Sequence, residues 1–148
     1  MFKKLFNKIF SKNNIEKISF RQGFDLTNVP IVTFYQGDKK FNFLLDTGST
    51  HNVIDSNILD VIEHSPMDTC INSYGIEGNK TSHEMCEISL YYKDQEYHCE
   101  CIISDMGKAF GEVKKESGVT LHGLIGSIFF NKYKYVLDFD ELIAYSKG

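Results

Sequence analysis

Asp46 stands directly after the largely apolar run 41–45 and directly before Thr47, Gly48 and Ser49. A run of that kind delivers an acidic side chain close to a core, where an ionised group is costly unless hydrogen bonds, a partner or catalytic work justify it. Such a carboxylate is an acid–base group, and the turn that follows can present it, because Gly48 supplies backbone freedom. Two other sets of residues could do chemistry. Ser49 with His51 or His122 would begin a serine-nucleophile arrangement, but no Gly-x-Ser-x-Gly surrounds Ser49 and no ordered Asp/His pattern accompanies it. Cys86, His98, Cys99 and Cys101 could be metal ligands. In a strand, however, His98 points away from the face shared by Cys99 and Cys101, and no Cys-x-x-Cys pair occurs, so no metal is expected.

The elements around Asp46 follow from periodicity. Phe41, Phe43 and Leu45 share one face at period 2, which makes 41–45 a strand. Residues 29–35 supply its partner, and Gly37–Asp38 suits a two-residue primed turn between them. Beyond the turn, Asn52–Val53–Ile54 reads as a short strand, and Asp55 or Ser56 is placed to cap a helix carrying Ile58, Leu59 and Ile62. Residues 70–92 predict a second hairpin with a glycine-rich tip at Gly75, Ile76, Glu77, Gly78 and Asn79. Lys93–Asp94 then turns the chain into Gln95–Ile103, and a two-residue loop there sets Cys86 opposite Cys101. Residues 104–120 are expected to be a polar loop with at most a short helix near Ala109 to Glu116. After Leu124–Ile125–Gly126 comes a helix with Ser127 as its N-terminal cap, then a strand from Tyr135, a turn near Asp140–Glu141 and a strand from Leu142 to Tyr145. Asp138 lacks a following Thr-Gly and reads as a turn or surface residue.

A chain of 148 residues is expected to be one main domain, here 29–148, preceded by an arm over 1–28. Within the arm, Phe2, Leu5, Phe6, Ile9 and Phe10 recur at helical spacing among Lys3, Lys4, Lys8 and Lys12, giving an amphipathic cationic helix over 1–20. That helix suits either an anionic lipid interface or packing on its own domain or a second copy. Asn7 and Lys8 interrupt the apolar stretch, so no secretory signal is read. The four cysteines are then expected to be reduced, in a cytoplasmic protein that is at most peripheral to a membrane. A net charge of -4 and a single arginine, Arg21, exclude the broad basic surface that nucleic acid requires.

Leu44-Leu45-Asp46-Thr47-Gly48-Ser49 resembles the hydrophobic-hydrophobic-Asp-Thr-Gly-Ser signature of aspartic proteases, particularly the single-domain retropepsin-like group. Tyr74-Gly75 is similar to the Tyr-Gly of pepsin-type flaps, and Leu124-Ile125-Gly126 with its helix is similar to the second apolar-Gly element of the family. These parts occur in the family order over about residues 29–146, leaving 1–28 and 104–120 outside the resemblance. The resemblance implies a mainly β fold: a closed, barrel-like acid protease lobe with one or two short helices and a flap hairpin. It implies an aspartic endopeptidase that cleaves an extended peptide or protein substrate without cofactor or metal. Asp46 would be catalytic. Thr47 would bond across a two-fold axis, Gly48 would lie against the substrate backbone and Ser49 would help orient the carboxylate. Tyr74, Gly75, Ile76, Glu77 and Gly78 would form the flap over the substrate. Peptide hydrolysis of this type needs two carboxylates, and the chain has one Asp-Thr-Gly, so a homodimer is expected. The alternative is a retropepsin-like peptide-binding or dimerisation module without turnover.

Overall fold

In the computed structural model, which describes residues 17–74 and 77–147, the chain enters as a strand. In β1 (Ile18–Ser19), Ile18 and the following Phe20 are buried while Ser19 faces out, a period-2 pattern rather than a helical one. The helix expected over 1–20 therefore does not extend through Ile18–Ser19, which pairs with the far end of the chain; residues 1–16 lie outside the described residues. Then comes α1 (Arg21–Thr27), which ends on Asn28 in the left-handed conformation. Phe24 of α1 and Phe20 pack their rings against Phe139.

β2 (Ile31–Gln36) and β3 (Lys39–Leu45) form the expected hairpin around Gly37–Asp38. β4 (Asn52–Asp55) follows the Asp46 turn, and the expected helix there is a single 3-10 turn, Ser56–Ile58, capped by Asp55, whose carboxylate accepts from the Asn57 N–H at 3.2 Å. β5 (Ser65–Tyr74) and β6 (Lys80–Tyr92) make the second hairpin, which begins at Ser65 rather than Cys70 and slips register between Pro66 and Cys70. β7 (Gln95–Ser104) returns through the two-residue Lys93–Asp94 loop, and Cys86 is opposite Cys101 as the loop length requires.

Residues 104–120 differ from expectation. They hold α2 (Gly107–Ser117), three turns long, because Phe110 with Val113 and Met106 supplies an apolar stripe that packs on Ile31 and Leu121. Its start is gripped by two carboxylates: Asp55 accepts from the Met106 N–H at 3.1 Å and Asp105 from the Gly107 N–H at 2.9 Å. Its end is Gly118 at φ 80°, a left-handed conformation that only glycine adopts without strain. With α3 (Ser127–Tyr133), the described residues hold three short α-helices, not one or two.

β8 (Gly123–Ile125), β9 (Tyr135–Asp138) and β10 (Ile143–Ser146) complete the fold. Six strands close a barrel in the order β2-β3-β8-β4-β7-β6, with Tyr35 meeting Tyr91 where β6 returns to β2; β5 extends beyond β6. Gln36 seals that seam by donating to the carbonyls of Glu63 and Ser89, both at 3.0 Å. β1, β10 and β9 form a separate three-stranded sheet, so residues 18–19 pack in the same body as the barrel. Asp138 ends β9, and its carboxylate accepts from the N–H groups of Asp140 and Glu141 in the turn that follows, at 2.9 and 3.0 Å. The core is aromatic: Phe34 meets Phe43 and Tyr97 edge-on at 5.9 Å, and Tyr97 reaches Phe129 at 5.4 Å.

No described helix is long and apolar enough to cross a membrane. Removing the α2 anchor by Phe110→Ala is expected to lower stability by about 3 kcal/mol, the usual cost of a buried Phe-to-Ala cavity. Urea unfolding of wild type and variant measures it.

Candidate functional site around Asp46

β3 carries Asp46 to its turn because Leu45 is the last residue of the strand: its N–H donates to Pro30 O at 2.8 Å, and Leu45 pairs with Ile125 of the parallel neighbour β8. The Asp46 N–H then donates to Ile125 O at 2.8 Å, which continues the pairing by one residue. Beyond it the backbone closes on the carboxylate. Asp46 Oδ1 accepts from the Gly48 N–H at 3.0 Å, and Asp46 O accepts from the Ser49 N–H at 3.1 Å. A carboxylate held by a backbone N–H has its direction set without any other side chain. Asp46 is half-buried rather than buried, with Thr47 and Gly48 exposed beside it.

Ser49 bonds within the loop. Its hydroxyl donates to His51 O at 2.7 Å, which ties the loop to itself, while the Gly48 N–H is the donor on the Asp46 carboxylate. Of the two imidazoles considered as partners for Ser49, that of His122 is engaged elsewhere, its Nδ1 accepting from the Asn42 N–H at 2.8 Å.

Leu124–Ile125–Gly126 lies alongside this loop. Three residues of β8 run parallel to β3 on one side and antiparallel to β4 on the other. The helix after them is not capped by a Ser127 side chain as expected; Gly126 takes the cap position with no side-chain bond. The free N–H groups of the first turn instead meet carbonyls of the Asp46 loop: Ser127 N–H donates to Ser49 O at 2.8 Å and Ile128 N–H to Thr50 O at 3.1 Å. Backbone thus satisfies backbone. Gly126 must be glycine here for lack of space, because a Cβ would stand 2.4 Å from His51 O and 2.7 Å from Ser49 O.

Asn52 was not singled out from the sequence. It is one of two buried polar side chains among the described residues, and it links the Gly126 N–H at 2.9 Å to Glu100 O at 3.2 Å. An asparagine at the head of an apolar strand was the only available signal.

The two strands of the second hairpin run to Tyr74 and from Lys80. Tyr74 pairs with Lys80 across the end of the ladder; Glu77 and Gly78 are exposed, with Gly78 at φ 82°; Gly75 and Ile76 lie outside the described residues. A broad concavity lined by Gln36, Lys39, Glu87, His98 and Lys132 opens on the barrel wall and does not include Asp46.

The cysteines divide by exposure. Cys70 is exposed; Cys86, Cys99 and Cys101 are buried free thiols, and burial pushes Cys86 up to about 11 and Cys99 up to about 12, so both are neutral and unreactive at neutral pH. His98 is exposed on the opposite face, as alternation requires. Among the described residues no three His, Cys, Asp or Glu side chains gather as metal ligands.

No family model matches the chain, and no curated protein matches it.

Gly126→Ala is expected to lower stability by about 1–3 kcal/mol, since the added methyl has only backbone to displace. Thermal unfolding checks it. His122 gives a pH dependence. Burial holds its imidazole below the ordinary value of 6.5, and the Asn42 N–H aimed at Nδ1 needs the lone pair. The unfolded chain then binds the proton more readily, so this contribution is complete above pH 6.5 and is lost as pH falls through the lowered folded value. His122→Gln is expected to flatten that part of the stability profile, read by urea unfolding between about pH 7 and pH 5.

Proposed function

We propose that the chain is a retropepsin-like aspartic endopeptidase that works as a homodimer, with Asp46 of each copy forming the catalytic pair. The observation that carries this is the backbone unit joining the two signature elements: Asp46 N–H on Ile125 O, and the N–H groups of Ser127 and Ile128 on the carbonyls of Ser49 and Thr50. Elements separated in sequence by almost eighty residues meet at the acidic turn, in the order the resemblance implies. Further support comes from exposure. Thr47 and Gly48 are open to solvent, and Ile128 beside them is a large exposed apolar side chain. This surface suits burial against a second copy.

In such a dimer the two Asp46 carboxylates share one proton around a water, because like charges that close do not both ionise. The ionised one takes a proton from the water as its oxygen attacks the scissile carbonyl carbon. The protonated one gives its proton to the carbonyl oxygen. Collapse of the tetrahedral gem-diol breaks the C–N bond: the departing nitrogen receives a proton from the protonated carboxyl, and one gem-diol hydroxyl returns its proton to the other carboxylate as it becomes the carbonyl of the acid product. The substrate lies extended under the β5–β6 hairpin, held by strand-like main-chain hydrogen bonds. Its working compartment is reducing, where buried thiols such as those of Cys86 and Cys101 remain thiols.

Asp46→Asn is expected to lower hydrolysis of a diverse peptide library on the order of 10³-fold or more while leaving the circular dichroism spectrum unchanged, because the amide is nearly isosteric and cannot move the proton. Specific activity should fall on dilution through dimer dissociation, and excess Asp46→Asn protein should poison the wild type through mixed dimers. Full activity from a monomer at high dilution would sink the shared pair.

A further inference from the structure

Asp46 and Asn52 approach one peptide group from its two ends. The carbonyl of Ile125 accepts from the Asp46 N–H at 2.8 Å, and the N–H of Gly126, across the same peptide bond, donates to Asn52 Oδ1 at 2.9 Å. A trans peptide is planar, so its C=O and N–H point in opposite directions and turn as one body. Whatever fixes the Gly126 N–H therefore fixes the carbonyl that receives Asp46. Asn52 is itself fixed, because it is 3 % exposed and its Nδ2 donates to Glu100 O at 3.2 Å. A buried amide with both ends bonded has one stable orientation, whereas one with a lost partner carries a desolvation cost. Glu100 belongs to β7, next to Cys101, which pairs with Asn52.

We propose that Asn52 is a positioning residue for Asp46, transmitting the placement of β7 to the acidic turn through the Ile125–Gly126 peptide. This rests on the assignment of Asp46 as the working carboxylate. It goes further in making the carboxylate's placement depend on a side chain that touches neither substrate nor Asp46. The loop's own bonds, Gly48 N–H to Oδ1 and Ser49 N–H to Asp46 O, set the shape of the turn. They leave its position relative to the rest of the barrel to the Ile125 contact and to the carbonyls that hold α3.

Two variants separate positioning from general stability. Asn52→Leu removes both bonds at similar volume. Asn52→Asp keeps an acceptor for the Gly126 N–H, and only when protonated does it also have a donor for Glu100 O. With a peptide substrate, Asn52→Leu is expected to lower kcat on the order of 10²-fold with KM changed little, because a displaced catalytic group loses rate rather than ground-state binding. The activity of Asn52→Asp relative to wild type is expected to rise as pH falls, as the protonated carboxyl restores both bonds. Backbone amide exchange by NMR supplies a readout free of turnover: the Asp46 N–H should exchange on the order of tenfold faster in Asn52→Leu than in wild type, while core amides such as Phe34 change less. Unchanged kcat in Asn52→Leu would overturn the proposal, as would equal acceleration of exchange at Asp46 and Phe34. If wild type hydrolyses no peptide while folded and dimeric, the endopeptidase assignment fails, and the exchange result alone decides the link: selective acceleration at Asp46 upholds it, and its absence overturns it.

Discussion

The parallel pairing of β3 with β8 is the contact on which the architecture depends. Parallel neighbours cannot be joined by a tight turn, so the chain must travel through β4, the long hairpin, β7 and α2 before Gly123–Ile125 returns to lie beside Phe43–Leu45. The three residues of β8 are also the only strand between β3 and β4, and without them the six-stranded barrel would be open at the point where the acidic turn emerges. The barrel and the candidate site are therefore consequences of the same pairing.

Backbone rather than side chains holds the acidic turn. The Gly48 N–H grips the carboxylate, and the carbonyls of Ser49 and Thr50 take the N–H groups that begin α3. This accounts for two features at once. Ser127 has no capping work left for its hydroxyl, and Gly126 has no space for a Cβ because the loop carbonyls occupy it. A main-chain lattice of this kind constrains the positions of residues more than their side chains, with Gly126 and Asn52 as the exceptions. One is required for its smallness and the other for its amide.

What could be read from the sequence was what short-range patterning controls. Period-2 alternation gave the β2–β3 hairpin and its turn, and the Lys93–Asp94 loop length gave the Cys86–Cys101 register. Misses arose where distant contacts decide. α2 was expected as no more than a short helix near Ala109 to Glu116 because glycines and charges dominate, yet it runs from Gly107 to Ser117, since Phe110, Val113 and Met106 find an apolar seat on Ile31 and Leu121 that no local window contains. The helix expected over 1–20 ran through Ile18–Ser19, which pair instead with Ala144 and Ile143 of β10. At the site, Asp46 with Thr47, Gly48 and Ser49 announced itself, whereas the hydroxyl of Ser49 went to His51 O, and Asn52 became visible only once its two partners, from β7 and β8, were known.

The small sheet that joins β1 to β10 has a consequence for how the molecule comes into being. Ile18 and Phe20 are among the most deeply buried residues; Ile18 pairs with Ala144 of β10, the Phe20 N–H donates to Leu142 O, and β10 follows every other described strand in sequence. Synthesis must therefore deliver every other described element before Ile18 has its strand partner, so β1 waits unpaired while the barrel strands are made. Assembly of this sheet is thereby a late, long-range event. A chain cut short before β10 lacks the strand that pairs with β1 and leaves Ile18 without its cross-strand neighbour Ala144.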